Sequence, residues 1–268
     1  MGENSAIGWT DHTFNPWTGC TKVSEACRNC YAESWAKRTG IVKWGENAER
    51  RRTSEANWKQ PLEWNREAMI SGVRKRVFCA SLADVFEDRP EVAIWRRDLF
   101  HLIQATPYLD WLLLTKRPQH AARLIAEVWP GGFPGIRNRI AIGTTVESQS
   151  EARRIDYLVN LRPFARVLFL SVEPMLGPLD LFPWLYAVDM GGGHDYNMGI
   201  DWVIAGGESG PKHRPLNIDH VRNLRDQCIG ADVPFFFKQH GGRTPEANGC
   251  VLDGREWKEF PKPLAIAA

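Results

Sequence analysis

The sequence predicts an α/β protein built as a parallel βα barrel of about six to seven strands. Short apolar runs without polar alternation recur along its 268 residues, as strands buried on both faces do. Amphipathic segments long enough for crossover helices separate them. Nearly every run also ends in a polar cluster, which places the strand ends around one shared cavity, as in the active face of a barrel.

The elements follow in order. A first strand falls within 6–14 and leads into a cysteine-bearing segment. The next runs are Arg76-Val77-Phe78-Cys79-Ala80-Ser81, Trp111-Leu112-Leu113-Leu114-Thr115 and Ile140-Ala141-Ile142-Gly143-Thr144-Thr145. Val167-Leu168-Phe169-Leu170-Ser171-Val172, Trp202-Val203-Ile204-Ala205-Gly206-Gly207 and Pro234-Phe235-Phe236-Phe237-Lys238 complete the set. Helical patterns fall at 91–105, 118–128, 149–161 and 217–229. The polar clusters are Ser81 with Asp84, Thr115-Lys116-Arg117, Thr144-Thr145 with Glu147, Ser171 with Glu173, Gly207-Glu208-Ser209 and Lys238-Gln239-His240. Any one cluster can equally be a chain reaching solvent and turning. Their succession favours the barrel over the alternative, a doubly wound sheet.

Composition sets the outer limits. With 43% hydrophobic and 25% charged residues, the chain supports a substantial core, expected as one domain over 1–268. No apolar run approaches the roughly 20 residues that span a membrane, and Met1-Gly2-Glu3-Asn4-Ser5 lacks the features of a secretion signal, so a cytoplasmic protein is expected. The net charge of +2 says little about partners.

Two regions depart from the repeat. Residues 41–76 carry nine basic residues against five glutamates, interleaved with Trp44, Trp58 and Trp64. Cations beside aromatic faces could grip phosphate and stack on a base; alternatively the segment is a solvated helical cover whose tryptophans dock on the barrel. Residues 185–200, with Gly191-Gly192-Gly193, read as a flexible loop able to act as a lid.

Six cysteines are present, and three of them, Cys20, Cys27 and Cys30, cluster with no fourth nearby. Three thiolates hold an iron-sulfur cube by three irons and leave one open, whereas a closed structural metal site normally takes four protein ligands. Cys79 and Cys228 read as buried thiols, and Cys250 stands apart. Two other readings stay open: a zinc site of three thiolates with His12, and a non-catalytic nucleic-acid-binding protein with a structural cluster.

The segment Asn15-Pro16-Trp17-Thr18-Gly19-Cys20 through Cys27-Arg28-Asn29-Cys30-Tyr31-Ala32-Glu33 resembles the cluster loop of radical S-adenosylmethionine (SAM) enzymes, nearest to the branch that includes spore photoproduct lyase. Its first gap holds six residues where three is usual. The chain from 6 to 245 also resembles a phage-associated three-cysteine-motif family of unassigned function. That likeness rests on the cysteine segment, on Ser171-Val172-Glu173-Pro174-Met175-Leu176-Gly177-Pro178, on Ala205-Gly206-Gly207-Glu208-Ser209-Gly210-Pro211 and on Phe236-Phe237-Lys238-Gln239-His240-Gly241-Gly242.

The resemblance implies an open, partial barrel of the radical SAM type. It implies a [4Fe-4S] cluster on Cys20, Cys27 and Cys30, with SAM chelating the open iron and cleaved to a 5′-deoxyadenosyl radical. Tyr31 would contact adenine. The family's Gly-Gly-Glu ends its second strand, whereas Gly206-Gly207-Glu208 ends about the sixth, so Ser81 or Asp84 would bind the SAM amino group. Lys116, with Arg117, would face the SAM carboxylate or a substrate phosphate. Thr115, Thr144, Glu147, Gly206 and Gly207 complete the candidate cofactor-binding set. Glu173, Glu208, Lys238 and His240 are the candidates for substrate contact or proton management. A nucleic acid or nucleotide substrate is implied, as is an external electron donor such as a flavodoxin or ferredoxin.

Overall fold

Each apolar run of the sequence becomes a strand of one sheet. The computed structural model describes residues 5–130, 135–185 and 199–264. Its strands are β1 (His12–Thr13), β2 (Lys75–Cys79), β3 (Leu109–Thr115), β4 (Ile140–Thr145), β5 (Val167–Val172), β6 (Trp202–Gly206) and β7 (Phe235–Gln239). They lie side by side in chain order, every neighbouring pair parallel. A doubly wound sheet would reverse direction at a switch point. This one does not, and it forms an open half-barrel with β1 and β7 at its edges.

The helices are α1 (Tyr31–Thr39), α2 (Glu55–Ser71), α3 (Pro90–Ala105), α4 (Pro118–Ala126), α5 (Arg153–Val159), α6 (Phe182–Leu185) and α7 (Ile218–Gly230). Both α3 and α4 start at a proline, whose missing N–H costs nothing in a first turn. The outer faces of the strands, with Val77, Trp111, Leu113, Ile142, Leu170, Val203 and Phe235, pack on Leu99, Ile103, Leu124, Ile155, Val221 and Leu224 of these helices. Each such buried aliphatic or aromatic side chain stabilises the fold by about 1.5–3 kcal/mol.

Strand alternation sends the other row inward. Phe78, Leu112, Ala141, Phe169, Trp202, Ile204 and Phe236 join Trp9 in a second core inside the half-barrel, and Phe260 and Leu264 pack on it from the C-terminal segment. The Trp202 indole N–H donates to the Glu259 carbonyl at 2.9 Å, fixing that segment in place. Gly143 makes this floor possible, because a Cβ there would lie 2.4 Å from the Phe169 ring. The floor is therefore filled, and the carboxyl ends of the strands stay open.

The 41–76 segment resolves largely into the helical cover. Ser54 caps α2 by accepting from the Asn57 amide at 3.3 Å. Trp64 stacks on the His12 ring at 4.4 Å, and Trp58 meets Phe14 edge-on at 5.4 Å beneath the Arg52 guanidinium. These two tryptophans are packing residues. A short antiparallel pair, Trp17–Thr18 with Arg51–Arg52, ties the segment to the approach of the cysteine loop. The loop expected at 185–200 lies outside the described residues over 186–198. No helix among the described residues is long and apolar enough to cross a membrane.

Candidate functional site

Above the aromatic floor the inward row turns polar. Lys116 continues the row of Leu112 and Leu114, Thr145 that of Ala141 and Gly143, Ser171 and Glu173 that of Phe169, and Lys238 that of Phe236; all five line one cavity of about 790 Å³. Cys20, Cys27 and Cys30 line it as well, together with Trp44 and Arg243. All three thiols are free of disulfides. Burial pushes the Cys20 thiol up to about 12 against the pull of Arg117, and it raises Cys30 too.

Buried carboxylates hold the cysteine loop at three points. At its start, Arg117 donates to Cys20 Sγ at 3.6 Å and to the Thr21 carbonyl at 2.7 Å. Asp84 holds that guanidinium at 2.9 Å while also accepting from Thr115 Oγ1 and from the Lys116 and Phe86 amides. Beside it, Glu87 pairs bidentately with Arg50, which reaches Thr21 Oγ1 at 2.7 Å. In the middle of the loop, Glu147 accepts from the Ala26 amide at 3.3 Å and pairs with Arg154 at 2.9 Å. At its end, Glu208 accepts from Asn29 at 3.0 Å and from Arg214 at 2.5 Å, and Arg214 also donates to the Glu25 carbonyl. Burial works to raise the pKa of Asp84, Glu147 and Glu208, yet these cations and donors hold all three below the usual carboxylate range.

What is left free in the cavity is distinct. Thr145 Oγ1 is buried without a hydrogen-bond partner among the described residues, and Ser171 is its register neighbour on β5. The Lys116 ammonium and the Arg243 guanidinium have no ion-pair partner among the described residues. Lys238 Nζ donates to Glu173 Oε1 at 2.6 Å, and both side chains are about one-fifth exposed. Gln239 donates to Ser209 Oγ at 2.6 Å at the same rim.

Over residues 4–261 the sequence matches the family described as protein of unknown function, DUF5131. The chain belongs to that family. No curated protein matches it. Among solved structures, this DUF5131 chain is similar to spore photoproduct lyase complexed with dinucleoside spore photoproduct, at 12% identity and a TM-score of 0.51, covering 85% of this chain and 63% of that one. A double variant of the lyase with bound AdoMet and the same dinucleoside matches equally, at 12% and 0.51. A cysteine-to-alanine variant gives 12% and 0.51 over 86% of this chain and 75% of that one. The DUF5131 chain thus spans about 63% of the length of the lyase chain in the complex. At this identity the likeness is one of fold, the open half-barrel of parallel strands.

The structure brings most of the sequence-derived candidates together and removes some. Tyr31, Ser81, Asp84, Thr115, Lys116, Glu173, Gly207, Glu208 and Lys238 line the cavity with the three cysteines. His240 does not: its Nε2 meets the Val251 carbonyl at 2.7 Å and its ring packs edge-on against Phe237. Thr144 points away, donating to the Thr115 carbonyl, because adjacent strand residues face opposite sides; Thr145 takes the cavity position. Glu147 is fully buried behind the cysteine loop. Asp84, although at the cavity wall, has both oxygens taken by the four donors named above and has none left for a ligand amino group. Gly206 lies behind the lining, between Glu173 and Lys238. Gly207 serves packing, since a Cβ there would sit 2.0 Å from the His240 carbonyl oxygen.

Arg117, expected to face an anion, is consumed by Asp84, Glu87 and Thr21. Arg154, Arg214 and Asn29 gave no sequence signal, whereas Thr145 was reachable from strand parity. His12, the fourth ligand of the zinc alternative, faces Trp64 on the outer side of β1. No three His, Cys, Asp or Glu side chains among the described residues converge on a single ion. Cys79 and Cys228 are buried elsewhere, and Cys250 meets Glu256 at 3.4 Å. The donor set is therefore three thiols on one cavity with no fourth thiol beside them. A cube suits this set, because it takes each thiolate on a different iron and needs no common point of convergence.

Proposed function

We propose that this DUF5131 protein is a radical SAM-type enzyme that holds a [4Fe-4S] cluster on Cys20, Cys27 and Cys30, binds SAM beside it and acts on a nucleotide or nucleic acid. One observation carries the reading: three unpaired cysteines open on the cavity where the polar strand ends of a radical SAM-type half-barrel converge. When bound, cluster and SAM supply one electron and a carbon radical that abstracts a substrate hydrogen.

The chain's own residues prepare the cavity for this. Tyr31 donates its hydroxyl to the Ser81 carbonyl at 2.6 Å, which fixes the ring at the wall where the adenine would lie. Lys116, Thr145 and Ser171 offer an ammonium and two hydroxyls to the polar ends of SAM, Lys116 to its carboxylate. The apolar floor excludes water from beneath. Glu173 and Lys238 face the substrate, and their short contact allows a proton to pass between carboxylate and ammonium at the cavity rim. A nucleotide is supported by the Arg243 guanidinium, which has no ion-pair partner among the described residues, by Trp44 in the lining and by the dinucleoside bound to the similar lyase. An external one-electron donor would complete the cycle.

Anaerobic reconstitution tests the reading. The expected product is brown protein with about four irons per chain, whose electron paramagnetic resonance signal shifts when SAM is added and which releases 5′-deoxyadenosine on reduction. Cys20→Ala, Cys27→Ala or Cys30→Ala each abolishes uptake and Cys228→Ala does not. A colourless protein that retains zinc, or an equal dependence on Cys228, overturns it.

A further inference from the structure

Arg117 stands out among the buried charges because it is the group through which the barrel wall touches a cysteine sulfur. Its Nη1 is shared between Cys20 Sγ at 3.6 Å and Asp84 Oδ2 at 2.9 Å, and its Nη2 reaches the Thr21 carbonyl at 2.7 Å and Glu87 Oε1 at 3.4 Å. The residue is 7% exposed, with Asp84 at 5% and Glu87 at 3%. Burial alone would favour loss of its proton, yet Asp84, Cys20 and Glu87 hold the guanidinium firmly charged. Glu87 is shared, since Arg50 binds both of its oxygens at 2.7 Å. A fixed cation therefore presses on one sulfur, with its charge partly offset by one carboxylate of its own and one held in common.

We infer that Arg117 sets the reduction potential of the iron-sulfur group through Cys20, with Asp84 as the counter-charge that limits its effect; this rests on the proposal that Cys20 holds such a cluster. Reduction adds one electron to the irons and their sulfurs. A donor and positive charge at a sulfur stabilises the reduced form more than the oxidised one, so hydrogen bonds to sulfur and local charge are levers on cluster potential. Charge removed at Arg117 and charge removed at Asp84 must then act in opposite directions. A role confined to holding the loop gives no such sign reversal. Arg117 is thus a positioning and tuning residue.

The test is a mediated redox titration of reconstituted protein without SAM, followed by the electron paramagnetic resonance of the reduced cluster. Arg117→Gln is expected to lower the reduced-to-oxidised ratio of the cluster about tenfold at a given solution potential, a downward shift of about 59 mV for one electron. Arg117→Lys recovers part of the loss, and Asp84→Asn shifts the midpoint upward. If Arg117→Gln takes up no cluster, the lysine and asparagine variants carry the comparison alone. Midpoints equal to the parent's in loaded variants, or shifts of the same sign at Arg117 and Asp84, overturn the inference. A parent protein that takes up no cluster overturns the underlying proposal instead, so the two failures are distinguishable.

Discussion

The Asp84 carboxylate accepts from Thr115 Oγ1, from two backbone amides and from Arg117, and that saturation has a consequence for stability against pH. Burial favours the neutral acid, but these donors win, and the folded-state pKa lies below its usual value. A depressed carboxylate pKa contributes stability that is complete above the unfolded value of about 3.9 and is lost as pH falls through the folded value. Asp84→Asn should therefore lower the unfolding free energy by roughly 3 kcal/mol at pH 7, the low end for a buried pair broken on one side because asparagine keeps an acceptor, a loss that a domain with a stability of about 5–15 kcal/mol survives. The gap between variant and parent should close below about pH 4, as measured by urea unfolding across pH. A gap that persists undiminished at pH 3 would show that the carboxylate's charge is not what matters. The same saturation shows what the sequence could not: Asp84, Glu147 and Glu208 were expected to bind ligand or act in catalysis, and the fold gives their oxygens to arginines and other donors. A carboxylate after an apolar run marks a strand end facing the cavity, but whether its oxygens are spent depends on arginines such as Arg117, Arg154 and Arg214, whose nearness only the fold creates.

Among the elements, those with their own periodicity were legible. The run at 140–145 and that at 167–172 fall on β4 and β5 without displacement, because continuous β-rich apolar segments admit one buried arrangement. The helix expected at 149–161 starts later, at Arg153, since Gln149–Glu151 form a 3-10 turn first. The two-residue pair Trp17–Thr18 with Arg51–Arg52 has no period to detect. The cysteine loop was legible only as a ligand set, because its shape comes from distant anchors. Its last anchor is the most exposed to test: Glu208 ties Asn29 and Arg214, and Arg214 ties Glu25. Charge-assisted bonds of this kind contribute about 1.5–3 kcal/mol to holding a segment closed. Glu208→Ala should accordingly speed amide exchange across 25–30 by roughly tenfold or more in the protein without cluster, while β3 to β5 keep their protection. Uniform acceleration over the whole sheet would instead mean that Glu208 supports global stability.

On the scale of the whole molecule, the half-barrel divides into a filled floor and an open mouth, and one glycine governs the boundary. Gly143 lies on the inward row of β4, two residues before the cavity hydroxyl of Thr145, and faces the Phe169 ring of β5. A methyl group at 143 would sit 2.4 Å from that ring, well inside contact distance, and the ring is hemmed in by Trp9 at 6.2 Å and Trp202 at 5.8 Å between centroids. Cores packed this closely relieve such overlap only by moving side chains off their rotamers, at a typical cost of about 1–3 kcal/mol. Gly143→Ala should lose that much in chemical unfolding, and Phe169→Leu alone should lose about 1–2 kcal/mol by underpacking the floor. In the double variant the smaller leucine accepts the new methyl, so the combined loss should fall short of the sum by about 1 kcal/mol or more. Simple additivity would place the clash elsewhere. Because the strain lies in the floor and Thr145 keeps its parity, cluster uptake on Cys20, Cys27 and Cys30 should survive in every folded variant of the cycle; its loss would show that floor and mouth are mechanically one unit.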